Sequence, residues 1–244
     1  MSLSQAFAPL VDLFYPPRCP LCGEGIAQQM GLCAPCWSQL VIPSEPACAT
    51  CQRPLGEEQR AQGTQCAPCL ARPPRHAGIA AGTLYTEPAR KLVLAFKHGR
   101  RIALAPMMAR LIAARLPPLD GTWIAVPVPL HRHRLWRRGY NQSALLAREI
   151  ARLRSAPLIV DGLQRVKPTP SLGGLGRRER QRALQGAIVV GARRRPQIAG
   201  ANILLVDDVM TSGATTDACI AALHEAGAGQ VRIACFSRVL HEIA

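Results

Sequence analysis

The chain has 244 residues, of which 48% are hydrophobic, enough for one large domain or two modest domains with buried cores. Its 30 basic and 15 acidic residues give a net charge of +15, and residues 1–75 hold five of each sign, so the whole excess falls in residues 76–244. A basic region indicates an anionic partner, such as a phosphate ligand or a nucleic acid, although a compositional bias towards arginine would give the same excess. The sequence contains no apolar run long enough to span a bilayer, which excludes a transmembrane helix.

The first element in chain order is a predicted helix over Leu3–Phe14. Its large apolar residues recur at helical spacing, which favours a face that packs on the protein, with a small membrane or partner contact as the alternative. The segment has no basic start and contains Asp12, so it lacks the pattern of a secretory signal. We therefore expect a cytoplasmic protein whose thiols stay reduced.

Eight of the ten cysteines lie before residue 70, in four C-x-x-C pairs: Cys19 with Cys22, Cys33 with Cys36, Cys48 with Cys51, and Cys66 with Cys69. Tetrahedral zinc takes two such pairs per site, so four pairs predict two structural Zn²⁺ ions, each held by four thiolates. The spacing allows a sequential or an interleaved pairing. Disulfides, redox-active dithiols and iron–sulfur ligation are the alternatives, and four pairs in succession without a secretory signal favour zinc.

We therefore predict two domains: residues 1–72, a double zinc-ribbon module with an N-terminal helix, and residues 76–244, an α/β domain. Arg72–Arg75, with two prolines between the arginines, is the predicted linker. The cysteine-rich module has few large apolar residues, and one structural zinc contributes on the order of 10 kcal/mol, so metal binding is expected to decide whether the module folds.

From Gly78 onward, strand and helix patterns alternate. The predicted strands are Ile79–Tyr85, Trp123–Val128, Ala187–Val190, Ile203–Val206 and Val231–Phe236, and the predicted helices are Glu87–His98, Leu104–Leu116, Asn141–Arg154 and Ala214–Ala226. This alternation predicts an α/β fold with a mostly parallel sheet flanked by helices, in which ligands bind at the carboxyl ends of the strands.

The run from Val206 to Thr216 combines the groups that a sugar phosphate needs. A buried strand ends in Asp207 and Asp208, whose carboxylates can accept hydrogen bonds from vicinal hydroxyls. A short loop of small, hydroxyl-rich residues then opens a helix whose first N–H groups favour a phosphate; the loop comprises Thr211, Ser212, Gly213, Ala214 and Thr215. The run lacks both the Gly-Lys-Ser/Thr ending of a Walker loop and a G-x-G-x-x-G turn, so it predicts a ribose 5-phosphate group as ligand.

This run resembles the diphosphoribosyl-binding motif of type I phosphoribosyltransferases. The whole chain resembles the ComF family, in which a double zinc ribbon precedes a domain of the type I phosphoribosyltransferase fold. Two further segments carry the resemblance: Ile124–Gln142, with its V-P-V-P and R-R-G-Y-N-Q runs, and the basic segment Thr169–Ala187.

The resemblance implies that the domain binds phosphoribosyl pyrophosphate together with Mg²⁺. Asp207 and Asp208 would hold the ribose hydroxyls, and the loop from Thr211 to Thr215 would hold the 5-phosphate. Thr211 stands where purine-salvage relatives carry an acid that serves the incoming base, which argues against hypoxanthine or guanine salvage.

The resemblance also implies a pyrophosphate side to the site, in the loop after Val128, near Arg132, Arg137 and Arg138. The catalytic candidates are Arg137, Arg138 and Lys97, because cations there would stabilise the charge that develops on the leaving group. Residues 167–176 would form a lid.

Two functions remain open at this stage. The first is a Mg²⁺-dependent phosphoribosyltransferase that releases pyrophosphate, acting in DNA uptake, natural transformation or DNA repair. The second is a non-catalytic adaptor that uses the fold to bind single-stranded DNA and a helicase or recombination partner. Trp136, which lies between arginines, indicates nucleic-acid binding, because an aromatic side chain can stack on a base; a contact that docks the two domains is an equal alternative.

Overall fold

The computed structural model describes residues 16–28, 31–59, 61, 63–167, 179 and 183–240. The predicted helix over Leu3–Phe14 lies outside these residues, and so does most of the predicted lid, from residue 168 to residue 176. Among the described helices, none is long and apolar enough to cross a membrane.

A parallel sheet of four strands forms the centre of the C-terminal half. The strands are β1 (Ile79–Leu84), β2 (Trp123–Pro127), β5 (Asn202–Met210) and β6 (Val231–Arg238), in the order β1-β6-β5-β2. Every neighbouring pair is parallel. Strands β5 and β6 lie between helices on both faces, which explains their continuous apolar runs. The predicted parallel α/β fold is confirmed.

Two short strands form a separate antiparallel pair, β3 (Leu163–Arg165) and β4 (Ile188–Val190). The sequence predicted β4 at Ala187–Val190 but did not predict β3. With only three residues and a single buried side chain at Leu163, β3 is too short to show a period in the sequence.

Helices cover both faces of the central sheet. The described helices of this part of the chain are α3 (Glu87–Lys97), α4 (Ala105–Arg115), α5 (Arg132–Arg138), α6 (Gln142–Arg154), α7 (Arg195–Ile198) and α8 (Ala214–Glu225), and of these α5 buries no residue. On one face, α3, α4 and α6 bury side chains such as Phe96, Met108 and Ile150 against the sheet. On the other face, α8 buries Ile220 and Leu223.

The cysteine-rich half contributes to the core on both faces of the central sheet. Its two short helices, α1 (Ala34–Trp37) and α2 (Ala67–Ala71), each begin directly after a cysteine. Leu40 joins the core on the face of Ala80, whereas the last four cysteines of the module join the core on the face of Ile79 and Ala81. Since successive strand residues point to opposite faces, the two cysteine-rich parts join the core on opposite faces of the sheet.

Direct hydrogen bonds also join the two halves of the chain. The N–H group of Leu84, in β1, donates to the carbonyl of Val41 at 2.7 Å. The side-chain amide of Gln52 donates to the carbonyl of Arg115 at 3.2 Å, and the guanidinium of Arg238 donates to the carbonyl of Cys51. The cysteine-rich half is therefore an integral part of the folded structure.

Candidate functional site

The eight cysteines of the C-x-x-C pairs form two clusters in sequential order: Cys19, Cys22, Cys33 and Cys36 in the first, and Cys48, Cys51, Cys66 and Cys69 in the second. Within each cluster, all sulfur atoms lie within 4.8 Å of one another, which suits four thiolates around one ion. Four thiolates complete a tetrahedral shell and leave no position for water. The two sites therefore fit structural zinc, and the pairing is sequential, not interleaved.

The two acids of the predicted ligand site lie inside β5. The sequence predicted a strand over Ile203–Val206 that ends in the two acids; the predicted range was too short, because β5 runs from Asn202 to Met210 and includes both acids. Pairing with β6 extends the strand, since Asp207 lies opposite Cys235 and Met210 lies opposite Arg238. The acids are consequently held by a rigid strand, with exposed fractions of only 8% and 3%.

Each acid has a specific partner from another element. The hydroxyl of Ser143, in the first turn of α6, donates to Oδ1 of Asp207 at 3.0 Å. The ammonium of Lys97, the last residue of α3, lies 2.9 Å from Oδ2 of Asp208. The N–H groups of Asp208 and Val209 donate to Oδ1 of Asp207 and Oδ1 of Asp208, at 2.9 and 2.8 Å. Both carboxylates are thus fixed at the carboxyl end of β5.

The Asp207 carboxyl has a perturbed acidity. Burial and, to a lesser extent, the neighbouring Asp208 carboxylate raise its pKa from 3.8 to about 7, against the opposing effects of Lys97 and of the hydrogen bond from Ser143. Two carboxylates side by side, one with a pKa near neutrality, are typical of a ligand site, because burial of two acids without a function would only cost stability.

The loop after β5 leads into the first turn of α8. Gly213 caps this helix with φ +81°, a left-handed conformation that strains any residue with a Cβ atom. Its carbonyl accepts hydrogen bonds from the hydroxyl of Thr216 at 2.7 Å and from the N–H of Asp217 at 2.8 Å. Helix α8 begins at Ala214, as predicted, so the first N–H groups of α8 follow directly after the hydroxyls of Thr211 and Ser212.

The arginines after Val128 lie on a helix. The sequence predicted a loop for Arg132, Arg137 and Arg138; this was wrong, because residues 132–138 form α5. The ring of His131 accepts a hydrogen bond from the N–H of residue 133, and Gly139, with φ +84°, ends the helix. None of its residues is buried, so it has no apolar period by which it could be recognised.

A cavity of about 440 Å³ lies between α5 and the end of α3. Its lining consists of basic side chains alone: Lys97, His98, Arg100, Arg134, Arg137 and Arg138. Lys97 connects this cavity to Asp208, so three of the predicted site residues (Lys97, Arg137 and Arg138) meet around one space next to the acids. Arg132 is exposed and is not one of the lining residues.

The R-G-Y-N-Q-S run at residues 138–143 organises this site, which the sequence did not reveal. The guanidinium of Arg138 donates to the side chain of Gln142, which is 5% exposed, and the hydroxyl of Tyr140 donates to the carbonyl of Phe96, next to Lys97. Asn141 caps α6 and donates to the carbonyl of Val128 at 3.1 Å. The R-R-G-Y-N-Q run of the family resemblance marked this segment, but it did not indicate which atoms these side chains contact.

Comparisons with known proteins agree with this architecture. The model of the double zinc ribbon domain matches residues 10–72, and the model of the phosphoribosyl transferase domain matches residues 142–243. Competence protein F of Haemophilus influenzae is 30% identical over 227 residues, which cover 90% of this chain and 96% of the relative. DNA utilization protein YhgH is 31% identical in Salmonella typhi and 29% identical in Escherichia coli, and in both cases 93% of this chain and 100% of the relative are covered.

The fold, the two cysteine clusters and these matches define a phosphoribosyltransferase-type domain preceded by a double zinc ribbon. Similarity extends over nearly the full length of competence protein F, at 30% identity. The chain belongs to the ComF family of proteins.

Proposed function

We propose that this protein binds phosphoribosyl pyrophosphate with Mg²⁺ and acts on DNA during uptake, transformation or repair. The main support is the arrangement at the carboxyl end of β5, where buried carboxylates, a hydroxyl-rich helix start and a cationic cavity adjoin. A ribose with two phosphate-bearing ends needs these three kinds of group in one site.

Asp207 and Asp208 would accept hydrogen bonds from the ribose 2′ and 3′ hydroxyls. The residues from Thr211 to Thr215 would bind the 5-phosphate through hydroxyls and the first N–H groups of α8. Arg137 and Arg138 would bind the pyrophosphate, and Lys97 would link both regions, because it already contacts Asp208 and lines the cavity.

Mg²⁺ would arrive with the ligand, since this ion is usually bound by one or two carboxylates together with substrate phosphates. The carboxylates of Asp207 and Asp208 are the ligand atoms that suit Mg²⁺ in this site. When bound, the ion would neutralise part of the pyrophosphate charge. The protein's own contribution to catalysis would be the fixed arginines, which are held in position before any charge develops.

The involvement of DNA rests on two observations. The similar proteins bear the names competence protein F and DNA utilization protein. In addition, the side chain of Trp136 is 84% exposed in the arginine-rich helix α5, a combination suited to stacking on a base of single-stranded DNA.

Isothermal calorimetry with phosphoribosyl pyrophosphate tests the ligand, with and without Mg²⁺. We expect binding heat that requires Mg²⁺ and that disappears in Asp207→Asn/Asp208→Asn. Asp120→Asn is the matched control, because Asp120 is exposed and precedes β2 at the opposite end of the sheet. Absence of heat from the unmodified protein would refute the proposal.

A second candidate function is a non-catalytic adaptor that binds single-stranded DNA and a helicase or recombination partner. The exposed Trp136 favours it independently of the carboxyl pair. Release of pyrophosphate, measured with candidate acceptors in the presence of DNA, distinguishes the two: steady release that Arg137→Ala abolishes supports an enzyme, whereas stable ligand without release supports the adaptor.

A further inference from the structure

Helix α5 has two distinct faces. Arg134, Arg137 and Arg138 are spaced i, i+3 and i+4, which places them on one side of a helix, and all three line the cationic cavity. Arg132 and Trp136 are spaced i, i+4 and lie on the opposite side, where Trp136 is the most exposed large hydrophobic side chain among the described residues. One short helix therefore combines a cavity lining with an outward aromatic surface.

The lining of the cavity suits anions. Among the described residues, no carboxylate lines it. Desolvation and the nearby charges of Arg138, Lys97 and Arg137 lower the pKa of His98. Lys97 is paired with Asp208, and the arginines that line the cavity are Arg100, Arg134, Arg137 and Arg138.

Phosphate groups of two different molecules suit this cavity. The pyrophosphate of phosphoribosyl pyrophosphate would reach it from the carboxyl pair, because Lys97 borders both. The backbone of single-stranded DNA would reach it from the other side of α5, because a base on Trp136 would lie within a helix diameter, roughly 10 Å, of the arginine face. Two polyanions in one space of about 440 Å³ would repel each other.

We infer that the cavity is a shared phosphate site, in which the pyrophosphate of phosphoribosyl pyrophosphate and the backbone of single-stranded DNA exclude each other. This inference rests on the proposed function, since it requires both ligands. It goes further by making each ligand a negative regulator of the other through Arg134, Arg137 and Arg138. Such linkage is reciprocal, so DNA would also weaken the binding of phosphoribosyl pyrophosphate by the same factor.

The test is fluorescence anisotropy of a labelled oligothymidylate of about 20 nucleotides, longer than the usual footprint of one binding module. Saturating phosphoribosyl pyrophosphate with Mg²⁺ should raise the Kd for DNA about tenfold or more, within the usual range of coupling between two ligands. Pyrophosphate with Mg²⁺ should do the same. Ribose 5-phosphate, which lacks the pyrophosphate, should leave the Kd for DNA unchanged.

Two variants separate the faces of α5. In Arg137→Ala, the slope of log Kd for DNA against log salt concentration should fall by about one, and phosphoribosyl pyrophosphate should compete less with DNA. Arg110→Ala should change neither quantity, because Arg110 is an exposed residue of α4 outside the cavity. Trp136→Ala should weaken DNA binding roughly tenfold while leaving the affinity for phosphoribosyl pyrophosphate unchanged. Trp37→Ala, a substitution of a half-exposed tryptophan beside the first cysteine cluster, is the control for loss of an aromatic group.

The outcomes distinguish this inference from the proposed function. If both ligands bind separately but the Kd for DNA does not change with phosphoribosyl pyrophosphate, the shared site is wrong and the proposed function stands. Tighter DNA binding in the presence of phosphoribosyl pyrophosphate would equally overturn the shared site. If calorimetry gives no binding of phosphoribosyl pyrophosphate, or anisotropy gives no binding of DNA, the proposed function fails in that respect and the shared site fails with it.

Discussion

The Nζ atom of Lys97 lies 2.9 Å from Oδ2 of Asp208, and it ties the end of α3 to the acids of β5. The carboxyl side is nearly buried, with a side-chain exposure of 4%, whereas the lysine side chain is 24% exposed. A buried carboxylate without its counter-ion is costly, so this ion pair connects the ligand site to the stability of the fold.

Lys97→Met should lower the free energy of unfolding by about 2 to 3 kcal/mol, because it leaves the buried Asp208 carboxylate without its ion partner. Lys97→Met/Asp208→Asn should recover much of the loss. Urea unfolding of both single variants and the double variant gives the coupling energy. Arg90→Met is the control on the same helix, since the Arg90–Glu87 pair is exposed and should contribute less than about 1 kcal/mol. A coupling energy near zero would show that the contact does not stabilise the protein.

Asp207→Asn should stabilise the protein at alkaline pH while abolishing ligand binding. A folded-state pKa near 7, above the ordinary value of 3.8, means that the unmodified protein loses stability as the pH rises from about 4 through 7. The amide cannot ionise, so at pH 8 we expect a gain on the order of 2 kcal/mol, or about 5 °C in Tm. At pH 4 the two proteins should melt alike. A variant that is less stable at pH 8 would contradict the assigned pKa of Asp207.

Elemental analysis should find two zinc ions per chain. Of the two clusters, the second should matter more for stability, because all four of its cysteines are buried in the core beside Ile79, whereas Cys22 of the first is exposed. Cys51→Ser should therefore lower the Tm more than Cys22→Ser, although the two substitutions change the same atom. Equal effects would show that the core around the second cluster does not depend on its metal.

We expect the free energy of unfolding to fall in mild acid because of His76. Burial lowers its pKa to about 4, with the charges of Arg238 and Arg232 adding to the effect, and its Nδ1 accepts the N–H of Gly78 at 3.2 Å. Because the folded-state pKa lies below the ordinary value of 6.5, the stabilisation is complete above pH 6.5 and is lost as the pH falls towards 4. At pH 5 the loss should be on the order of 2 kcal/mol.

His76→Gln should remove that part of the pH dependence, because an amide keeps an acceptor and does not titrate. Urea unfolding of the unmodified protein and of His76→Gln at pH 7 and pH 5 measures this pH dependence of stability. The His131→Gln variant is the control, since this histidine is in the exposed start of α5. An unchanged pH dependence in His76→Gln would locate the acid sensitivity elsewhere.

Local patterns were sufficient to predict the fold from the sequence. Strands β5 and β6 are long and apolar, α3 begins with a proline in its first turn, and the C-x-x-C spacing is a direct consequence of tetrahedral coordination. Each of these signals depends on neighbouring residues only, and the structure places the corresponding elements within a few residues of the prediction.

The contacts of the site could not be predicted in the same way, because they join distant segments. Nothing around Ser143 indicates that its hydroxyl reaches Asp207, and nothing around Lys97 indicates that it reaches Asp208. The continuation of β5 beyond Val206 depends on pairing with β6, and α5 has no buried residue to reveal its period. The domain limits at residues 72 and 76 stay a prediction.

Because β1 is the edge strand of the sheet, metal binding by the cysteine-rich module also affects the α/β domain. An edge strand presents unpaired N–H and C=O groups that can recruit another chain. Here the carbonyl of Val41, which follows the first cysteine cluster along the chain, accepts the N–H of Leu84 at this edge. Loss of metal would therefore uncover a template for intermolecular β-pairing, so that zinc supply would govern whether the protein remains dispersed or aggregates.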